Sequence, residues 1–294
     1  MIYWMYFLPL WLAGTITVVV FCAFGIIGLA LTRRWVPSLH HATLLDNDIV
    51  GYYFSAITVL YGITLSLILV GGWNTLTETQ QSVNQEASTL AALYFDVSKY
   101  PEPHRGRLQD DMRKYTREVI DVGWPEQQKG ILPRSNLPNV DNLLNDLSAF
   151  EPASEGQNVL HMETLNKFNE FEERRTSRLF GVTARLSGPL WALVYIGAVI
   201  NIAVTWCFHL RKQRMHVWMT ALTSSLLGLM IFFLAAIDHP YLGQLSVSPK
   251  PFQLIYDYLM KPGEMAGSHA PSTPQTAEKT FTSVQGSRPG RGHI

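Results

Sequence analysis

Residues Asp46–Trp73 read DNDIVGYYFSAITVLYGITLSLILVGGW, and the rest of the chain is understood outward from them. From Ile49 no charged residue occurs before Glu78. A helix rising about 1.5 Å per residue crosses the ~30 Å hydrocarbon core of a bilayer within that length. The segment is not uniformly apolar, however. Gly51, Ser55, Thr58, Gly62 and Ser66 follow one another at steps of four, three, four and four, which places them on one helical face. Such a stripe has two physical readings. Small residues let helices approach closely, so it is a packing seam, the reading that composition alone favours. Alternatively, several copies of the helix surround an axis and the hydroxyls face water in a pore.

Charge is missing from the chain in blocks. Met1–Thr32, Ile49–Thr77, Leu186–Leu210 and Met215–Ile237 hold no Asp, Glu, Lys or Arg, and charged residues make up 16% of the whole against about 25% in soluble domains. Each block is long enough to span a membrane, which predicts spans over 8–31, 50–72, 188–210 and 216–237. The opening MIYWMYFLPLWLAG has no basic n-region and a long apolar stretch, so it is expected to be a span and not a signal peptide. Its aromatic residues suit an interfacial belt. A net charge of zero offers nothing to a nucleic acid. Cys22 and Cys207 lie inside spans, where thiols act as small hydrophobes.

The expected organisation is a first transmembrane hairpin over 1–73, a helical soluble domain over 74–187, a second hairpin over 188–237, a juxtamembrane segment over 238–262 and a disordered tail over 263–294. The middle region has 17 acids and 13 bases. Leu76, Val83, Leu90 and Val97 repeat every seven residues and predict an amphipathic helix continuing out of the second span, stopped at Pro101 and Pro103. Its apolar line is expected to be covered by a sister subunit or by a partner's helix. Leu108, Met112, Tyr115, Val119 and Val122 give a second helix, ending at Gly123 and Pro125. A short helix is expected near 139–149. A long one over 157–187 should run into the third span, with Glu170–Arg174 and Glu172–Arg175 spaced for ion pairs on a solvated face. PFQLIYDYLM reads as an amphipathic segment on the membrane surface, and the Gly-, Pro-, Ser- and Thr-rich tail as disordered.

Four spans put both termini and the middle region on one side. The flanking basic residues number five on each side, so the positive-inside rule does not orient the chain. No nucleophile elbow, phosphate-binding loop, zinc helix or CxxC pair is present, which predicts that the protein is not an enzyme. His40, His41, His209 and His216 share the short-loop side with Asp46 and Asp48. Asp46, Asn47 and Asp48 are better read as cap and dipole partners of the second span, so no metal site and no cofactor are expected.

Four motifs in order, NDIVGYYFSAITVLYGITLSLILVGGW, the Trp124-Pro125 pair, RRTSRLFGVTARLSGPLW at 174–191 and DHPYLGQLSVSPKPF at 238–252, resemble the bacterial four-span bestrophin-like family. The similarity covers most of residues 1–260. The resemblance implies an all-α membrane protein, two transmembrane hairpins flanking a large cytoplasmic helical domain, in a bacterial inner membrane. By relation to bestrophins it implies a homopentameric channel for small inorganic anions, with the second span lining the pore. Animal bestrophins form a neck from an Ile and two Phe at four-residue steps before a Trp-Asn pair. Laying Trp73-Asn74 on that pair puts the neck at Ser55, Val59 and Ile63, none of them aromatic. With their neighbours Thr58, Gly62 and Ser66 these are the expected pore-lining residues. The acidic calcium clasp of animal bestrophins has no counterpart, so no calcium site is expected. The alternative is a non-conducting membrane scaffold whose helical domain docks a partner protein.

Overall fold

The computed structural model describes residues 6, 8–35, 47–133, 137–208, 210 and 212–261. The tail expected to be disordered, His40, His41, His209 and Asp46 lie outside the described residues. The elements are α1 (Leu10–Trp35), α2 (Asn47–Val97), α3 (His104–Glu118), a π turn (Val119–Gly123), α4 (Trp124–Gln127), α5 (Leu137–Ser148), α6 (Glu155–Phe180), a 3-10 turn (Gly181–Thr183), α7 (Gly188–Trp206), α8 (Gln213–Ile237), α9 (Lys250–Ile255) and a second π turn (Tyr256–Met260). No strand occurs among the described residues; the fold is all-α. Four helices, α1, α2, α7 and α8, are long and apolar enough to cross a membrane.

Among these four, α1 packs chiefly along α8, α7 lies against both, and α2 stands at the edge. Their contacts depend on close approach. A Cβ on Gly28 would fall 2.0 Å from Cζ2 of Trp206, whose indole N–H donates to the Gly25 carbonyl at 3.0 Å. A Cβ on Gly197 of α7 would fall 2.3 Å from the ring of Tyr61 on α2. The seams of this bundle are therefore made by glycines other than Gly51 and Gly62 of the small-residue stripe.

Helix α2 runs for 51 residues, about 75 Å, from lipid-length apolar sequence into the soluble domain. No Gly or Pro interrupts it after Gly72. Beyond the membrane its heptad line turns inward. Val83, Leu90 and Val97 are fully buried and Leu76 packs at the edge, among Phe168 and Phe171 of α6, Leu108, Met112 and Tyr115 of α3, and Val140, Leu143 and Leu147 of α5. The expectation that a sister subunit or partner helix covers this line is thus overturned: the chain's own helices already bury it.

Three further expectations are corrected. The second amphipathic stripe does not stop at Gly123. It passes through the π turn into α4, where Pro125 sits in the first turn, a place its missing N–H does not harm. The extra residue of the π turn leaves Val122 exposed and carries Trp124 into the core. Helix α6 does not run into the third span. It ends at Phe180, and an extended stretch follows the 3-10 turn up to Pro189, which has no N–H to carry a helix through and instead sits in the first turn of α7. PFQLIYDYLM does not lie on the membrane as a surface segment: Phe252 and Met260 are fully buried in the soluble core, and Thr116 donates to Met260 Sδ at 3.2 Å.

At the centre of that core lies an ion pair. Arg178 and Glu86 are both fully buried, with Nε 2.5 Å from Oε2 and Nη2 3.2 Å from Oε1. Tyr115 donates to Glu86 Oε1 at 2.6 Å, Arg178 Nη1 donates to Gln127 Oε1 at 2.9 Å, and the guanidinium stacks over Phe252. Burial, reinforced by the Glu86 charge, pushes the Tyr115 phenol well above its ordinary range, so it stays a neutral donor. For Arg178 burial works against the charge, but the Glu86 carboxylate together with the Tyr115 and Tyr241 oxygens outweighs it and the guanidinium is held more firmly protonated than usual. The Tyr241 hydroxyl donates to the Arg178 carbonyl at 3.1 Å. Three residues earlier, Asp238 at the exit of α8 accepts from the Leu186 N–H at 2.7 Å and from the Trp191 indole at 3.3 Å. The DHPY segment thereby fastens the soluble core to the entrance of α7.

On the far side of the core, Asp111 of α3 is buried beside Asp146 of α5. Burial raises its carboxyl above the usual range and repulsion from Asp146 adds to this, while Lys114, 3.8 Å away, offsets part of it. A carboxyl whose pKa is higher folded than unfolded costs stability above the folded value, and the cost disappears as pH falls to the unfolded one. Asp111→Asn is therefore expected to raise the melting temperature at pH 7, with the gain gone by about pH 4. Melting of parent and variant in one mild detergent across that range checks it.

Candidate functional site along the second span

The inward face of α2 in the membrane carries Thr58, Tyr61, Leu65, Ile68, Leu69 and Gly72. Leu65 is buried among Trp191, Val194, Ala198, Ile231 and Leu234. Tyr61 donates to the Val194 carbonyl at 2.8 Å. Thr58 donates to Oδ1 of Asn201 at 2.9 Å, and the Asn201 amide in turn donates to the Gly197 carbonyl at 2.9 Å. Asn201 is thus a buried polar link between α2 and α7, and both of its ends are satisfied, as a low-dielectric setting demands.

The other residues expected to line a path are outward or flanking. Val59 and Ile63 are 60% and 56% exposed, Ser55 and Ser66 are exposed, and no atom lies within 4 Å of a Cβ built on Gly62 or Gly51. Within one subunit the stripe is therefore not a packing seam. Ser55 donates its hydroxyl hydrogen to the Gly51 carbonyl at 2.9 Å, which keeps it satisfied and leaves its oxygen open as an acceptor. Thr58 differs from its neighbours: it is half-buried, and its hydroxyl is spent on Asn201.

The same outward face continues past the membrane. Asn74, Thr77, Gln81, Asn84, Ser88, Ala92 and Phe95 are all exposed and follow Ile63, Ser66 and Val70 at helical spacing. From Ile49 to Phe95 the chain has only two charges: Glu86 is buried, and Glu78 stands on the flank of this line. A helix face turned to bulk water in a soluble domain is normally charged. Here the exposed groups are mostly hydroxyls and amides, with the Ala92 methyl and the Phe95 ring at the far end. Gln80 donates to Asn84 Oδ1 at 3.2 Å, a bond that leaves the Asn84 N–H groups unspent.

Sequence reasoning missed this extension because the heptad line on the opposite face is the stronger periodic signal. The signal was available: NTLTETQQSVNQEASTLAALYF holds only two acids and no base. Asn201 was missed as well, although an Asn in an otherwise apolar span is itself a flag. Of the histidine group, His216 is described. It is buried, its Nδ1 accepting from Arg33 Nη2 at 2.9 Å and its Nε2 donating to the Thr205 carbonyl at 2.8 Å, an arrangement of the neutral ring. Among the described residues no three His, Cys, Asp or Glu side chains converge as metal ligands would.

No curated protein and no solved structure matches the chain. The bestrophin-like domain matches residues 19–252, which takes in α2, α7 and α8 whole, α1 from residue 19 onward and most of the soluble core. Since that match covers most of its length, the chain belongs to the bestrophin-like family and is a membrane protein of that family.

Proposed function

We propose that the protein is a homo-oligomeric channel for small inorganic anions, a pentamer in the bacterial inner membrane, with α2 lining the path. The observation that carries this reading is the uncharged, exposed face of α2 from Ser55 to Phe95. Such a face carries none of the charge that normally solubilises a helix and suits a water-filled axis shared with other copies. Ser55, Val59, Gly62, Ile63 and Ser66 surround the path in the membrane. Thr58 acts one step back, by fixing α2 to α7. Anions are favoured over cations because the lining offers the amide hydrogens of Asn74, Gln81 and Asn84 and no carboxylate except Glu78 on its flank. The soluble domain and both termini are cytoplasmic in this reading, and the protein transports without catalysing. The scaffold alternative loses its docking line, since the heptad residues are buried in the chain's own core.

Substitutions at Val59 test the proposal in liposomes. Val59→Ser is expected to leave the oligomer intact and to change chloride flux severalfold, because water in a path satisfies an added hydroxyl. Val59→Trp should lower flux at least tenfold with the oligomer preserved. The oligomer mass is read by native mass spectrometry and the flux by chloride efflux. Parent protein that forms an intact ring and passes no ion across a range of voltages would sink the channel reading.

A further inference from the structure

In the soluble domain the two flanks of α2 are covered by different elements. Gln85 and Ala87 stand about 80° to either side of the outward line through Thr77 and Phe95. Gln85 accepts from Arg174 Nη1 of α6 at 3.2 Å, so α6 occupies one flank. Ala87 and Tyr94 are buried on the other, and after α6 the elements packed chiefly on α2 outside the membrane are α9 and α3. Helix α6 turns Phe168, Phe171 and Arg178 to the core and carries a second line on its outer side. Val159, Met162, Asn166, Asn169, Glu173, Thr176 and Phe180 follow one another at alternating steps of three and four, the spacing of a helix–helix seam, and all of them are exposed. Val159 and Phe180, at the two ends of the line, are 63% and 69% exposed. A solubilising face is charged, whereas this one has Glu173 as its single charge.

The α9 flank presents a surface of the opposite charge at the same height. Leu254 of α9 and Tyr258 of the second π turn are exposed, and aromatic side chains of this kind anchor interface centres. The Arg178 guanidinium lies over the Phe252 ring, so α9 stands at the level of Arg178, within about two helical turns of both Glu173 and Phe180. Rotation about an axis along α2 preserves height. In a ring of copies the α9 flank of one subunit therefore comes opposite the outer line of α6 on the next, a heterologous contact that closes on itself. The charges agree with this pairing. The exposed charges on α6, Glu155, Glu163 and Glu173, are all acids, while Lys167 and Arg174 are turned to Glu170 and Gln85 of their own subunit. On and beside α9 the exposed charges are Lys250, Lys261 and Arg117, with Asp257 the acid among them, and Arg117 is held over the Tyr256 ring. We infer that Leu254 and Tyr258 of one copy dock on the outer face of α6 of the next copy, between Glu173 and Phe180, with Arg117 set against Glu173. The inference rests on the ring reading of α2 and names the contact that closes the ring.

The test uses the full chain in mild detergent, with Cys22→Ser and Cys207→Ser as the background, and a short bis-maleimide as cross-linker. Thr176→Cys combined with Leu254→Cys should give a ladder of bands up to the full ring. Either cysteine alone should give no band above the monomer, because the two faces meet each other and not themselves. Separately, Glu173→Arg and Arg117→Glu should each lower the fraction of ring about fivefold at fixed protein concentration, read by native mass spectrometry, and the two together should recover most of it. A ladder from either single cysteine, no ladder from the pair in a protein whose native mass is that of the ring, or no recovery in the charge swap would each overturn the inference. The second of these outcomes leaves the ring and the channel reading standing; a parent that is only monomeric removes both. Melting temperatures confirm that the variants are folded, and if the charge-swapped protein is not, the cysteine pair decides.

Discussion

Arg178→Met is expected to cost the folded protein about 3–5 kcal/mol, read as a melting temperature roughly 10 °C below the parent in the same detergent. The reason is the charge left behind. Glu86 is fully buried, and without the guanidinium its carboxylate loses both arginine N–H donors and keeps the Tyr115 hydroxyl. Gln127 loses the donor to its carbonyl oxygen at the same time. Removing both charges should be far milder than removing one, because an apolar pair of similar volume carries no desolvation penalty. Glu86→Leu combined with Arg178→Met is therefore expected to recover most of the loss. If Arg178→Met alone melts within about 2 °C of the parent, the buried pair does not hold the soluble core together.

The second large effect is expected in the membrane. Gly197→Leu should separate α2 from α7, because even the first carbon of the new side chain would lie 2.3 Å from the Tyr61 ring. That ring cannot simply swing aside while its hydroxyl is bound to the Val194 carbonyl. Overpacking of this kind costs about 1–3 kcal/mol when the surroundings can yield, and more where a hydrogen bond is lost as well. The Thr58–Asn201 bond, one turn away, should break with it. Gly62→Ala provides the contrast. Its Cβ meets nothing within 4 Å, so the subunit should tolerate it, with a gain of up to about 1 kcal/mol from better helix propensity. Paired measurements make the point testable: Gly197→Ala combined with Tyr61→Ala should be more stable than the two single losses add up to, with a coupling of at least about 1 kcal/mol. Simple additivity would show that the two residues do not confront one another.

What could be read from the sequence follows from which interactions are local. The four membrane-length helices were legible because a bilayer admits no charge over about twenty residues, and a charge-free block is visible in any chain. The heptad line of α2 was legible as a buried stripe, and Leu90 and Val97 are fully buried. What would bury it was not, since Phe168 and Phe171 arrive from more than seventy residues away. The Glu86–Arg178 pair was hidden for the same reason. Each of the two charges reads locally as an ordinary polar position on a helix, and 92 residues separate them. Glu172 and Arg175, read as a pair on a solvated face, stand 3.6 Å apart with the arginine side chain almost wholly buried. Along the stripe, spacing identified the helical face but could not distinguish the hydroxyl of Thr58, turned to Asn201, from that of Ser55, turned to its own backbone.

The unbroken length of α2 has a mechanical consequence. A helix without an internal break is a stiff lever, and this one has its long arms on either side of Gly72, which rests against Ile237 of α8. One arm is clamped by the soluble core; the other bears Ser55, Val59 and Ile63 at its far end. From Gly72 to Ser55 is about 25 Å along the axis, so a tilt of roughly 5° about this fulcrum carries Ser55 sideways by about 2 Å. A rearrangement around Phe171 or Arg178, more than a helical turn outside the bilayer, has no slack along the way in which to be absorbed. It arrives in the membrane as a sideways load on α2, met first by the bonds of Tyr61 and Thr58 to α7.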